Sequence, residues 1–241
     1  MTVQYPGLDG ELPIHGIDLG TGIRPLVTEP PPRRLDARAY AADLAEGLTD
    51  EEPVDLVITQ CMSTSIGVEV ARLLVARGHR PLLVALDGAP CAARHVAGSY
   101  RDTLRRYRAD SAGLAVTGAA LRAHPADVLS AMRAELTGAA TAALLAGAAD
   151  AELVAPMVDD VVTVSMSWLG HLVAAHNAPG EPWPGETLVV TSRDTPFTGP
   201  WPAVPAPETV ALDCAATELI GSDAVREVLR SRLAAWTGRF R

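Results

Sequence analysis

The side chains best placed to do chemistry are Cys61, Asp87 and two late histidines, His171 and His176. Cys61 stands at the apex of Asp55-Leu56-Val57-Ile58-Thr59-Gln60-Cys61-Met62-Ser63-Thr64-Ser65-Ile66-Gly67-Val68-Glu69-Val70-Ala71-Arg72-Leu73-Leu74, an apolar strand that runs through a tight turn into a helix. A thiol at that point meets the free amides and the positive dipole end of the following helix, and both stabilise thiolate over thiol. A thiolate is a better nucleophile at neutral pH than a serine hydroxyl, and it exchanges readily with thioesters. The plainer explanation is a buried cysteine closing an ordinary strand, since free cysteine is among the most buried residue types. Asp87 ends the run Leu82-Leu83-Val84-Ala85-Leu86-Asp87, and the carboxyl end of a parallel strand is where α/β folds place functional groups. A turn-capping aspartate is the competing reading. His171 and His176 lie at the end of a long helical insert and could reach over such a site, although packing and surface roles serve them equally well.

These residues need elements to hold them. Short apolar runs alternate with helical stretches along the chain, the pattern of a mainly parallel sheet covered by helices on both faces. The expected strands are Pro13 to Asp18, Val54 to Thr59, Pro81 to Asp87, Glu186 to Thr191 and Glu208 to Leu212. Helices are expected over Ala37 to Leu48, Ser65 to Arg77 and Ser222 to Trp236, with Asp36 and Ser222 as N-caps and Gly78 as a stop. An alanine- and leucine-rich insert, His95 to Pro184, reads as several helices laid over the sheet. The 241 residues and 48% hydrophobic content suit one α/β domain, residues 1–241, with 95–184 as its insertion.

Set without a gap against Gly-His-Ser-Met-Gly-Gly and a following Tyr-Glu-Val-Ala, Cys61 falls on the serine, Met62 on the methionine, Ser63 and Thr64 on the two glycines, and Glu69-Val70-Ala71 on Glu-Val-Ala. The chain resembles the thioesterases of polyketide and nonribosomal-peptide assembly lines, which are α/β-hydrolases. The resemblance implies that Cys61 is the nucleophile and that the Met62 amide is one oxyanion-hole donor. A second donor would come from the loop Tyr5-Pro6-Gly7-Leu8-Asp9-Gly10. Leu86-Asp87-Gly88-Ala89-Pro90 resembles the family's Leu-Asp-Ser-Pro element, which implies Asp87 as the acid, with Asp194 as runner-up. The insert matches the position of the family's lid. The sequence departs from the family at the general base: no histidine follows His176, and Ala216 or a neighbour stands where the histidine should be. His171, His176, His95, His15 or Glu218 would have to replace it, or the thiolate would act without a base.

The activity this implies is acyl transfer from a carrier protein's phosphopantetheine arm onto Cys61. Members of the family with a cysteine nucleophile include Dieckmann cyclases, which release tetramates or pyridones by carbon–carbon bond formation. The alternatives are a type II editing thioesterase and a noncatalytic thioesterase-like accessory protein. An acyl or peptidyl carrier protein and a small acyl substrate are the expected partners.

Composition narrows the field. All 20 basic residues are arginine, so no lysine Schiff base and no P-loop lysine can exist in this sequence. A net charge of −9 with scattered arginines argues against nucleic acid. No apolar run is long enough for a membrane span, no secretory signal is readable, and three widely spaced cysteines suit a reduced cytoplasm better than a disulfide framework or a zinc site. Neither a cofactor nor a metal is expected.

Overall fold

Buried β-branched and leucine runs dictate the centre of the fold. In the computed structural model, which describes residues 1–3, 14–19, 25–26, 33–46, 48, 53–111, 113–147, 151–194, 197 and 199–239, β3 (Leu56–Gln60), β4 (Leu82–Leu86) and β5 (Thr187–Thr191) are covered on both faces. Continuous burial of this kind belongs to parallel strands sandwiched between helices. They are flanked by β1 (Thr2–Val3) and β2 (Pro25–Leu26) on one side and by the more exposed β6 (Glu208–Ala211) on the other. Among the described residues the six strands run in the order β2-β1-β3-β4-β5-β6, and every pairing is parallel. The chain moves outward from β1 to β2, then returns past β1 to β3. That reversal makes the β1/β3 boundary the switch point, and crevices outside the carboxyl ends of strands at such a point are where open α/β sheets bind ligands.

Alternate side chains sort onto two faces. Val57, Leu83, Ala85 and Val189 join the core under α1 (Ala37–Ala45), α2 (Thr64–Ala76) and the insert helices. Ile58, Val84, Leu86, Leu188 and Val190 face α7 (Asp223–Gly238) and the segment 14–19. The layout is the expected α/β-hydrolase-like one, a mainly parallel sheet with helices on both faces and a helical insertion. That insertion, between β4 and β5, comprises α3 (Ala93–Arg106), α4 (Gly118–Ala123), α5 (Pro125–Ala146) and α6 (Ala151–His176). Asp36 and Ser222 do cap their helices, accepting from Ala39 N at 3.0 Å and Ala224 N at 3.2 Å, and Gly78 takes φ +89° just past α2.

Two expectations need correcting. Ile14–Gly16, read as part of a strand, is a 3₁₀ turn whose Ile14 and Ile17 are both buried against the α7 face, because residues three apart share one side of such a turn. Glu152–His176 within α6 is, by length and composition, long and apolar enough to cross a membrane. Here it buries Val154, Val158, Val162, Met166 and Leu169, a stripe recurring every three to four residues, and touches α1, α2, α3 and α5.

α2 approaches β3 closely at Gly67, where an added Cβ would lie 2.1 Å from Thr59 Cγ2. Gly67→Ala is expected to cost about 1–3 kcal/mol in urea unfolding through overpacking. Thr59→Ser, which removes the obstructing methyl and keeps the hydroxyl, should recover most of that loss in the double variant.

Candidate functional site

β3 ends in a turn built from short-range hydrogen bonds. Gln60 is extended, Cys61–Ser63 forms one 3₁₀ turn, and α2 follows at Thr64. The Cys61 carbonyl accepts from the Thr64 hydroxyl at 2.8 Å, and the Thr64 hydroxyl accepts from Thr59 at 2.9 Å. Those constraints hold Cys61 at φ +48° with its side chain exposed. A non-glycine residue held there stores about 1–3 kcal/mol of backbone strain.

Asp87 sits at the end of the neighbouring strand in the same unusual conformation, φ +47°, but is buried. Its Oδ1 accepts from the Ser192 amide at 2.7 Å, which ties the ends of β4 and β5 together. Ala89 N donates to the Cys61 carbonyl at 3.4 Å, so the two strained turns are in contact. Gly88 permits this crowding: a Cβ there would lie 2.5 Å from Ala85 Cβ and 3.1 Å from both Thr64 Oγ1 and the Trp201 ring. Trp201, packed edge-on against Phe197 at 6.0 Å, walls this end of the sheet. Among the described residues the one other non-glycine residue with positive φ is Arg108, just past the end of α3, where a left-handed residue is ordinary.

Each remaining candidate has a definite location. Met62 is half-buried against the core, and its amide lies in the first turn leading into α2, where backbone donors have no partner within the helix. His171 is buried beneath the turn, with Nε2 2.9 Å from Ser63 Oγ and Nδ1 3.2 Å from the Tyr40 hydroxyl, and its ring stacks on Trp168. Burial pushes its pKa down to about 3. A neutral imidazole with both nitrogens engaged and so low a pKa is a poor base at neutral pH, so this geometry gives the expected proton-abstracting role no support. His176 is remote from the turn's hydrogen bonds: its Nδ1 lies 3.1 Å from the Cys91 carbonyl and its Nε2 3.5 Å from Arg122. His95 caps α3 by accepting from Ala92 N at 3.0 Å. Asp194 and Glu218, both exposed, accept from the amides of Ala216 and Ala215, each at 3.1 Å, and so shape the loop after β6. The segment Tyr5 to Gly10, expected to supply a second oxyanion donor, lies outside the described residues.

Sequence reasoning missed Cys214. It follows β6 near the place expected for a histidine, and its thiol is raised by burial and then by the charge of Asp87. It missed Tyr40, Trp168 and the role of Ser63 as well. A clue existed for Ser63 alone, in the replacement of a small turn residue by one that carries a hydroxyl.

No protein-family model matches the chain, and no curated protein matches it in sequence. Among solved structures, a four-domain nonribosomal peptide synthetase bound to AMP and glycine aligns over 83% of this chain and 16% of its own, at 17% identity and TM-score 0.47. The chain therefore spans about a sixth of that synthetase. The Vlm2 thioesterase domain, carrying genetically encoded 2,3-diaminopropionic acid and bound to a dodecadepsipeptide, aligns over 82% of this chain and 73% of its own, at 15% identity and TM-score 0.44. A thermophilic esterase from Thermogutta terrifontis aligns over 83% and 73%, at 15% identity and TM-score 0.43. Likeness at this level carries no information about activity.

Two measurements follow from the geometry. Iodoacetamide at neutral pH should modify exposed Cys61 before Cys214 and before Cys91, which is buried, donates to the Leu172 carbonyl at 3.3 Å and has a pKa pushed up to about 12. For His171 the folded pKa of about 3 lies below the ordinary 6.5, so its contribution to stability is complete above pH 6.5 and is lost as pH falls toward 3. Chemical unfolding at a series of pH values should show this loss at about 1.4 kcal/mol per pH unit relative to His171→Gln.

Proposed function

We propose that the chain is a thioesterase-like acyl-transfer enzyme in which Cys61 takes an acyl group from a carrier protein's phosphopantetheine thioester. The observation that carries this reading is the pair of strained, touching turns at the carboxyl ends of β3 and β4, one presenting an exposed thiol and the other a buried carboxylate. Strain of this kind survives where the surrounding structure over-determines it, and it clusters at functional sites. The position beside the β1/β3 switch point points the same way.

In this reading the Cys61 thiolate attacks the thioester carbonyl, the Met62 amide stabilises the tetrahedral oxyanion, and the pantetheine thiolate leaves. Thiol exchange of this sort needs no base beyond what ionises Cys61, consistent with a site where His171 is engaged elsewhere. Release would follow by Dieckmann closure: an enolate carbon of a β-ketoacyl amide attacks the acyl–Cys61 carbonyl, forming the ring carbon–carbon bond and returning the thiolate. An acidic 1,3-dicarbonyl lowers the demand on the protein's own base. Three cysteines outside any disulfide suit a reducing compartment such as the cytoplasm.

Intact-mass spectrometry after incubation with a β-ketoacyl-amide pantetheine thioester should show an adduct that disappears in Cys61→Ala. Adduct formation followed by release of a cyclised product supports the cyclase; release of free acid supports an editing thioesterase; a protein that never acquires the adduct is an accessory subunit and the proposal fails. Asp87→Asn should cut turnover about 10²-fold or more, the scale of a lost acid–base contribution, while Asp194→Asn leaves it near normal. The reverse result would move the acid to the loop after β5.

A further inference from the structure

We infer that His171 is a positioning residue for Cys61, acting through Ser63, so that the last helix of the insert fixes the geometry of the nucleophile turn. The inference rests on the reading of Cys61 as the nucleophile. The turn itself is short: three residues, Cys61–Ser63, in which the strained Cys61 backbone would relax if its neighbours were free to move. From the sheet side it is held by the Thr59–Thr64–Cys61 chain of hydrogen bonds. From the helical side it is held by Ser63, whose hydroxyl is buried and meets His171 Nε2 at 2.9 Å.

His171 is itself held in place. Its Nδ1 contacts the Tyr40 hydroxyl of α1 at 3.2 Å, Tyr40 also meets the ring edge-on, and Trp168 stacks on it at 5.6 Å with an interplanar angle of 15°. Trp168 is fixed in turn by donating to Ser99 Oγ of α3 at 2.7 Å. A neutral imidazole carries one donor and one acceptor, so one of Ser63 and Tyr40 donates and the other accepts, and either tautomer satisfies all three groups. The contact thus joins α1, α3 and α6 to one hydroxyl two residues beyond the thiol.

Ser63 has a backbone amide as well as a hydroxyl, and both ride on the same residue. Fixing the hydroxyl fixes the peptide units of Met62 and Ser63, the first-turn donors that stabilise a Cys61 thiolate and a developing oxyanion. Loss of the clamp lets those donors turn away and leaves the thiol less acidic and less reactive.

The test is the pH profile of iodoacetamide alkylation at Cys61 in the full chain, followed by peptide mass spectrometry, for Ser63→Ala, His171→Gln, the double variant and Tyr40→Phe. Leu229→Ala, in the α7 core on the other face of the sheet, serves as a control that loses stability at a distance from the turn. The inference expects Ser63→Ala and His171→Gln each to slow alkylation at pH 7 about five- to tenfold with an upward shift in the midpoint, the effect of losing one buried hydrogen bond. The double variant should be no slower than the worse single one, because both act through one contact. Tyr40→Phe should give a smaller change in the same direction. If Ser63→Ala and His171→Gln lower the melting temperature yet keep the unaltered profile, as Leu229→Ala does, the contact is merely structural and the inference is overturned. If Cys61 in the unaltered chain reacts no faster than Cys214, the nucleophile reading fails first and takes this inference with it.

Discussion

Everything at the candidate site depends on how closely α2 approaches β3. Gly67 lies so near Thr59 that no β-carbon fits between them, and this contact fixes the distance the chain must cover in leaving the strand and entering the helix. Three residues cover it, and Cys61 absorbs the strain as a positive φ. The Thr59 hydroxyl that borders Gly67 also bonds the Thr64 hydroxyl, which bonds the Cys61 carbonyl. One threonine thus sets both the helix-to-sheet spacing and the shape of the turn. A glycine in place of Cys61 would relieve the strain but remove the thiol.

The same helix is anchored further along by a buried carboxylate. Glu69 is held by Arg38 of α1 at 3.1 Å and by Arg72 one turn on at 3.4 Å, while Arg38 also pairs with Glu181 and Arg72 donates to the carbonyls of Glu181 and Pro182. Burial raises the Glu69 pKa despite both arginines. Desolvation therefore outweighs attraction, and the network's contribution is better described as fixing α1 and the segment before β5 against α2 than as raw stability. Glu69 and His171 consequently push stability in opposite directions with pH. The folded state holds a proton on Glu69 more readily than the unfolded chain does and on His171 less readily.

The parts of this fold legible in the sequence are those where local chemistry and tertiary structure agree. β3, β4 and β5 are apolar runs longer than a turn and shorter than a helix, and they fall within two residues of expectation. Asp36, Ser222 and Gly78 mark helix ends because capping is a local interaction. β1 and β2, at two residues each, exist only through pairing with a distant strand and leave no period to read. Ile14 and Ile17 give a strand-like impression that a 3₁₀ turn satisfies equally well. At the site, the elbow and the Asp87 strand end are visible as strand-to-turn transitions. The Ser63–His171–Tyr40 contact joins residues as much as 131 positions apart, His171 and Tyr40, and no spacing rule reaches that far.

The distribution of acid–base groups at the carboxyl edge of the sheet limits the chemistry it favours. Asp194 and Glu218 are occupied in shaping the loop after β6, His95 and His176 serve α3 and the Cys91 segment, and His171 lies under the turn as a neutral support. Among the described residues, the Asp87 carboxylate belongs to the turn whose Ala89 amide donates to the Cys61 carbonyl, and Cys214 is close enough to feel its charge. A carboxylate in a buried turn can orient a partner or take a proton from an acidic carbon. On the proposed reading, this arrangement suits a nucleophile that arrives already ionised, as a thiolate or a stabilised enolate.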